Sequence, residues 1–491
     1  IIQATSLNIR SFSDNGECEY VQYPPEILAP IPLLKKCLSP INEIAIYPDD
    51  PNYYECIKVA NCRNIYFPVV VIYVTKVSDI QISINCANAL NISVTARSGG
   101  HSFEAYGNGG RNGVMVIDVK ELNQITINNE TNTAIIGTGN RLGPIYYTLY
   151  QAGFLLPAGS CPNVGIGGHA TGGGFGTVSR KYGMSSDNII SAEMVIANGT
   201  FISPINSTHN SDLFFVLRGA GNSGYGIITS LTFKIYSIQP IVTTIILSYN
   251  SEQIETLFMS LSKAAKNLDD NITPYLTLLP DSDSSYTCTV TGVYLGPAVE
   301  ARNAVKELIE LSNPAETDFK ESTWWESVLE VSTKETIQPI FTRKAFKATS
   351  FVVKPPGLSP EAIKYLRNFI DTIECRTVAL FDVYAGGAVS RISVNSSAFI
   401  HRDILYIIQL SMKLSGNSKS VQAKCLEKHI QFRQEFQATY TTYFSYQDYV
   451  DKDLLNWTTR YYGLHLPRLI GTKKKYDPNN LFFWEQSIPE N

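Results

Sequence analysis

The sequence predicts an α+β protein of two compact domains, the second built on an antiparallel sheet backed by helices. Three observations carry this. The chain has 491 residues, a length that favours two domains, one of which can be split by the other. Between about 65 and 95 it reads strand, helix, strand and ends in a glycine turn, "RSGGHS". After roughly residue 240 the texture changes to long helical segments alternating with strand runs.

Each element has a local reason. "PVVVIYV" (68–74) is a β-branched run. Ser78 opens a helix with Gln81 three residues on, a capping-box spacing, and Ile80, Ile84 and Ala87 keep helical period. "NISVTA" (91–96) returns to strand, which places the glycine turn at a strand's carboxyl end, where open α/β sheets bind ligands. The runs "GVMVIDV" (113–119), "TAIIGTG" (133–139), "SAEMVIANG" (191–199) and "GIITSLTFKIY" (226–236) read as strands. "LGPIYYTLYQAGF" (142–154) reads as a helix stopped by a glycine. Beyond 240, helices are expected over 251–268, 298–312, 359–373 and 419–438, and strands over 286–295 and 378–384. The tail 461–491 holds a helix, a DPNN turn and a short aromatic segment.

Composition narrows the class. Hydrophobic residues make up 44% and charged residues 17%, a globular balance. Net charge is −4 and no basic stripe exists, which argues against a nucleic-acid partner. The longest apolar run, "IYFPVVVIYV", is too short to span a bilayer and contains proline, so no membrane partner is expected. The chain begins at Ile1 rather than methionine, as a processed secreted protein does, and sequons occur at Asn91, Asn129, Asn198, Asn206, Asn271, Asn395 and Asn456. Nine cysteines fit the same compartment; Cys56 with Cys62 and Cys37 with Cys86 are the expected bridges. An odd count leaves one cysteine outside the disulfides, and Cys161 is the candidate. The expectation is a secreted monomer.

Two stretches concentrate the chemistry. "GSCPNVGIGGHATGGGFG" (159–176) puts Gly165, Gly167, Gly168, Gly172, Gly173, Gly174 and Gly176 within twelve positions. Such density costs backbone entropy and makes sense where main-chain N–H groups approach a phosphate or a flat ring. Its "GIGGHA" fits the dinucleotide fingerprint only weakly, because loop rather than strand precedes it. "RSGGHSFEAYG" (97–107) places His101 behind two glycines; a lone histidine is more often structural. The six histidines lack metal-ligand spacing, and Ser98, Ser102 and Ser160 sit in no nucleophile elbow.

These two stretches, followed by "NIISAEMVIANG", "DLFFVLRGAGNSGYGIITSLTFKI" and the terminal "YYGLHLPRLIGTKKKYDPNNLFFWEQSI", resemble the vanillyl-alcohol-oxidase superfamily. Within it the chain is similar to the berberine-bridge-enzyme-like branch, and in particular to fungal oligosaccharide oxidases. The resemblance implies a PCMH-type two-subdomain FAD-binding domain plus a substrate domain with a large antiparallel sheet. The expected division is 1–238 for the first part of the FAD domain, 239–445 for the substrate domain and 446–491 for a segment completing the flavin site. FAD is the implied cofactor, bonded through His101 at the 8α-methyl and Cys161 at ring carbon 6. Around it the resemblance places Arg97, Ser98, Gly99, Gly100 and Ser102 from the first stretch. Val164, Gly165, Gly167, Gly168, His169, Gly172 and Gly173 follow from the second, with Gly226, Ile228 and Gln486. "YQDYVD" matches the family's Y-x-N-Y-x-D, making Tyr449 the implied base, paired with Asp382 of "LFDVYAGG". Tyr446, Gln409 and Tyr384 are the implied substrate contacts. The sequence departs from the pattern at Val378 and Leu380, where those oxidases carry tryptophan and glutamine, and at Asp448, where they carry asparagine. A sugar platform is then either missing or supplied elsewhere, with Trp324, Trp325 and Tyr384 as the candidates. The implied reaction is oxidation of a carbohydrate at its anomeric hydroxyl, with O2 reduced to hydrogen peroxide. An aromatic or allylic alcohol oxidase, a sugar dehydrogenase and an inactive flavin-binding relic are the rivals.

Overall fold

Val70–Tyr73 and Val94–Arg97, the two strands expected from β-branched runs, form with the helix Val77–Leu90 between them. The computed structural model in which they are seen describes Cys18 and residues 22–280, 288–332 and 343–490. The two strands are not neighbours. Met115–Asp118 lies between them and pairs in parallel with both, and Ala45–Ile46 closes the other edge of this four-stranded sheet. The helix buries Ile80, Ile84 and Ala87 against it. Its start is not capped as expected. The carboxylate that accepts the orphan N–H groups is Asp79, from Thr75 at 3.0 Å and Lys76 at 3.3 Å. Gln81 reaches sideways instead, donating to the Gly199 carbonyl at 2.8 Å.

A second, five-stranded antiparallel sheet runs Ile125–Asn128, Thr133–Gly137, Ile227–Lys234, Ile189–Val195, Phe201–Ile205. Leu142–Gln151 packs on it through Leu142, Ile145, Tyr146 and Leu149 and ends before Gly153, whose φ is +82°. The C-terminal stretch reaches both sheets. Leu469, Tyr476 and Ile488 enter the core of the five-stranded sheet, and Leu481 and Phe482 enter that of the four-stranded one.

The third sheet has seven antiparallel strands, in the order Glu316–Ser322, Val242–Tyr249, Cys288–Tyr294, Ile272–Leu278, Thr377–Val383, Tyr406–Lys413, Phe346–Val353. Ile254–Ala264, Pro360–Thr372 and Lys419–Tyr440 cover one face, where Phe258, Leu366 and Phe436 meet Leu276, Phe381 and Ile408. The helix expected over 298–312 is two, Ala298–Ala304 and Lys306–Ser312, broken at Val305 (φ −108°, ψ 8°). The strand expected over 286–295 is described from Cys288; 286–287 lie outside the described residues.

Three disulfides form: Cys18–Cys62, Cys37–Cys86 and Cys375–Cys425. The second was expected. Cys62 pairs with Cys18 and not with Cys56, because the bridge Asn61–Lys344 turns this stretch toward the seven-stranded sheet. Cys56 packs in a different core, so the short loop between the two cysteines does not close. Three cysteines therefore stay outside disulfides, Cys56, Cys161 and Cys288, rather than one. Among the described residues no helix is long and apolar enough to cross a membrane, and no cluster of metal-ligating side chains occurs. All seven sequon asparagines are exposed or partly exposed.

Arg180 locks the five-stranded half onto the seven-stranded sheet. Its fully buried guanidinium donates to the carbonyls of Ile272 (2.6 Å), Ala385 (2.8 Å), Asp269 (2.8 Å) and Leu268 (2.9 Å). Burial lowers its pKa to about 10, which keeps it charged at neutral pH. Arg180→Ala strands these carbonyls and should destabilise the protein by roughly 3 kcal/mol or more; a thermal or urea midpoint equal to wild type would refute this role.

Candidate active site

The two glycine stretches meet in space. A Cβ on Gly99 would lie 2.3 Å from the Gly165 nitrogen, and one on Gly165 would lie 2.2 Å from the Gly99 nitrogen. The backbones touch, and only glycine at both positions permits it. From Gly165 the chain turns into the short helix Ile166–Gly172. Gly226 is required for a similar reason, since its Cβ would lie 2.6 Å from the Val195 carbonyl oxygen. Together these segments wall a cavity of about 540 Å³ that also opens onto the uncovered face of the seven-stranded sheet.

His101 and Cys161 both line this cavity, with Ser98, Gly99, Gly100, Ser102, Val164, Gly165, Gly167, Gly168, Ile228 and Gln486. Burial, aided by the Arg141 charge, lowers the His101 pKa to about 4, so its imidazole is neutral. Two side chains position the loop before Cys161. Tyr146 donates to the Gly159 carbonyl at 2.7 Å, and His169 Nε2 accepts the Gly159 N–H at 2.9 Å. His169, held neutral at about 4 by burial, thus supports the loop through a ring nitrogen that is then unavailable to a ligand. Arg97 lines the cavity too, but its guanidinium is engaged there by Asp118 at 2.6 Å and Asn108 at 2.7 Å.

The sheet delivers the other wall. Asp382, on Thr377–Val383, stands opposite Tyr275 in register, and Leu380 stands opposite Gln409. All four line the cavity. Tyr449 comes from the segment after the last long helix, which is pinned to the sheet where Ser350 Oγ accepts the Tyr446 N–H at 2.8 Å. Its phenol donates to Asp382 Oδ2 at 2.7 Å. Burial pushes Asp382 up to about 7, against the favourable bond from Tyr449. Burial and the Asp382 charge raise the Tyr449 phenol well above its ordinary value, so it does not ionise alone. Phe103 lies parallel to the Tyr449 ring, 5.7 Å away, and holds its plane.

Four expected contacts sit behind the cavity wall. Tyr446 is fully buried and donates to Asp448 at 2.9 Å. Tyr384 is buried and stacked on Phe175 at 4.6 Å, which removes it as a sugar contact. Gly172 and Gly173 pack against Asp448 and Tyr446. Trp324 is buried, and Trp325 packs on Tyr147 and Tyr150, so neither tryptophan offers a platform in the cavity. Residues with no sequence signal take these places: Phe103, Tyr275 and Gln447, the last clamping the Gly172 and Gly219 carbonyls at 2.6 Å each.

A planar dinucleotide cofactor fits this donor set. The cradle excludes Cβ atoms where two main chains cross, and a neutral imidazole and a thiol converge on one cavity. Comparisons agree. A family model described as "FAD binding domain" matches residues 68–203, and one described as "Berberine and berberine like" matches 445–489. The Bacillus subtilis (strain 168) protein YvdP, an uncharacterized FAD-linked oxidoreductase, is 31% identical over 447 residues, 90% of this chain and 97% of that protein. The structure of Physcomitrella patens BBE-like 1 superposes with a TM-score of 0.87 at 33% identity, covering 93% of this chain and 99% of that one. The xylooligosaccharide oxidase from Myceliophthora thermophila C1, in complex with xylobiose, gives 0.85 at 25% identity over 93% and 99%. The chain belongs to the berberine-bridge-enzyme-like family of FAD-linked oxidoreductases.

Proposed function

We propose that the protein is a secreted, bicovalent FAD oxidase that converts the anomeric hydroxyl of a mono- or oligosaccharide to the lactone, with O2 reduced to hydrogen peroxide. The observation that carries this reading is the 2.7 Å bond between Tyr449 and Asp382 in the cavity that His101 and Cys161 also line. The structural likeness to an enzyme named as a xylooligosaccharide oxidase supports the sugar; three disulfides and exposed sequons support the compartment. On this reading 1–238 and 446–491 hold the flavin, and 239–445 roofs the substrate.

FAD, when bound, supplies the hydride acceptor. The chain supplies its placement and the proton path. His101 and Cys161 fix the ring at two points, and Gln409 and Tyr275 offer polar groups to sugar hydroxyls. Tyr449 takes the proton of the anomeric hydroxyl on its phenol oxygen while passing its own proton to Asp382. This needs Asp382 ionised, so the pair is competent above about pH 7 and idle below. A second reading, an allylic or aromatic alcohol oxidase, draws on Leu380 and Phe103 in the same wall; a screen of sugars against such alcohols under oxygen, scored for lactone and peroxide, separates the two.

His101→Ala and Cys161→Ala should each retain flavin through the other bond after acid precipitation, read by peptide mass; complete loss from either single variant excludes double attachment. Tyr449→Phe should keep its yellow colour and lose about 10²–10⁴-fold in anaerobic flavin reduction; reduction at the wild-type rate puts the base elsewhere. The wild-type reduction rate should rise with pH through about 7 and level off. Asp382→Asn should flatten that rise, and an unchanged profile removes Asp382 from the relay.

A further inference from the structure

The sequence departs from the family pattern at Asp448, and a built site surrounds the departure. Asp448 lies in the cavity wall next to Asn222. Its carboxylate accepts the Tyr446 phenol at 2.9 Å, the Asn222 amide at 3.0 Å and the Gly174 N–H at 3.3 Å. Gly174 also donates to the Tyr446 oxygen at 2.9 Å, so the three groups share one hydrogen-bond ring. The glycine run makes the room. A Cβ on Gly172 would lie 1.7 Å from Asp448 Oδ1, and one on Gly173 would lie 2.7 Å from the Tyr446 oxygen.

Three donors suit an anion, whereas burial opposes it, and among the described residues Asp448 has no cationic partner. Burial, acting against those hydrogen bonds, leaves its pKa at about 7. The titratable groups facing it are the phenols of Tyr446 and Tyr449 on its own segment, Tyr384 after the strand Thr377–Val383, and Tyr462 on the helix Trp457–Tyr462. Burial raises all four, so they stay neutral; His169 on the helix Ile166–Gly172 is neutral as well. Asp382 is the one other cavity carboxylate in this set, and it is bonded to Tyr449.

We propose that Asp448 is the electrostatic control of the bound flavin: ionised, it makes the flavin harder to reduce, and protonated, it makes reduction easier. Electron uptake adds negative charge inside the cavity, and a fixed anion in the same low-dielectric wall opposes that charge. Tyr446, through its hydrogen bond, is the positioning residue that sets where Asp448 titrates. The inference rests on FAD occupying the cavity and not on sugar as the substrate.

Midpoint potentials of the purified holoprotein, measured spectroelectrochemically from pH 5 to 9 without substrate, test it. Asp448→Asn should match wild type at pH 5 and lie progressively positive of it toward pH 9. Tyr446→Phe removes a donor to the anion and should move the pH at which wild-type-like lowering begins upward; it serves as the test if Asp448→Asn binds no flavin. A pH-independent offset, identical curves, or a wild-type pH response lost only in Asp382→Asn overturns the proposal. Because no substrate is present, failure of the sugar-oxidase reading leaves these outcomes unaffected.

Discussion

The buried ammonium of Lys347 is the point on which the site depends. Glu104 at 3.1 Å and Asp453 at 2.6 Å contact it, as does Asp451. Arg63 binds Glu104, and Arg433 approaches Asp451 at 3.5 Å. Three cations thus face three carboxylates in the interior, an arrangement that is tolerable only when every member is paired. Burial lowers the Lys347 pKa, but Asp451 and Glu104 outweigh it and keep the group charged. Glu104 lies three residues past His101, Lys347 stands on the sheet, and Asp451 lies two residues past Tyr449. One charge cluster therefore fixes the His101 loop, the seven-stranded sheet and the proposed base relative to one another.

Glycine does two different jobs in one run. Gly165 lets the main chain cross that of Gly99, which brings the two cofactor stretches together. Gly172 and Gly173 instead clear space for a half-buried carboxylate and a buried phenol from a segment about 275 residues away. The density that marks the run is the sum of both demands.

The same segment also carries two tyrosine–carboxylate pairs. Tyr449 with Asp382 faces the sheet, and Tyr446 with Asp448 faces the glycine run; their rings lie edge to face 5.0 Å apart. Burial raises both carboxylates to about 7. A cavity with two such groups changes its charge across neutrality, which suits chemistry that moves a proton and a hydride together.

Local pattern was enough for the elements and for the meeting of the motifs in one family. The β-branched runs, the helix read from Ser78 and the alternation beyond residue 240 are short-range signals and they form, although the helix read over 298–312 breaks in two at Val305. The glycine stretches, His101, Cys161, Tyr449 and Asp382 were legible as residues because each sits in a short, ordered motif. What tertiary structure decided depends on distance across the chain. Cys62 chose Cys18 over the nearer Cys56 because the Asn61–Lys344 bridge turned it into another core. Tyr384 and Tyr446 were placed behind the wall, and Phe103 and Tyr275 in it, because strand register and packing set which side chains face the cavity. Sequence alone determined the chemistry available and its family; only packing between remote segments decided which groups touch, since burial and pairing, not identity, set their charge.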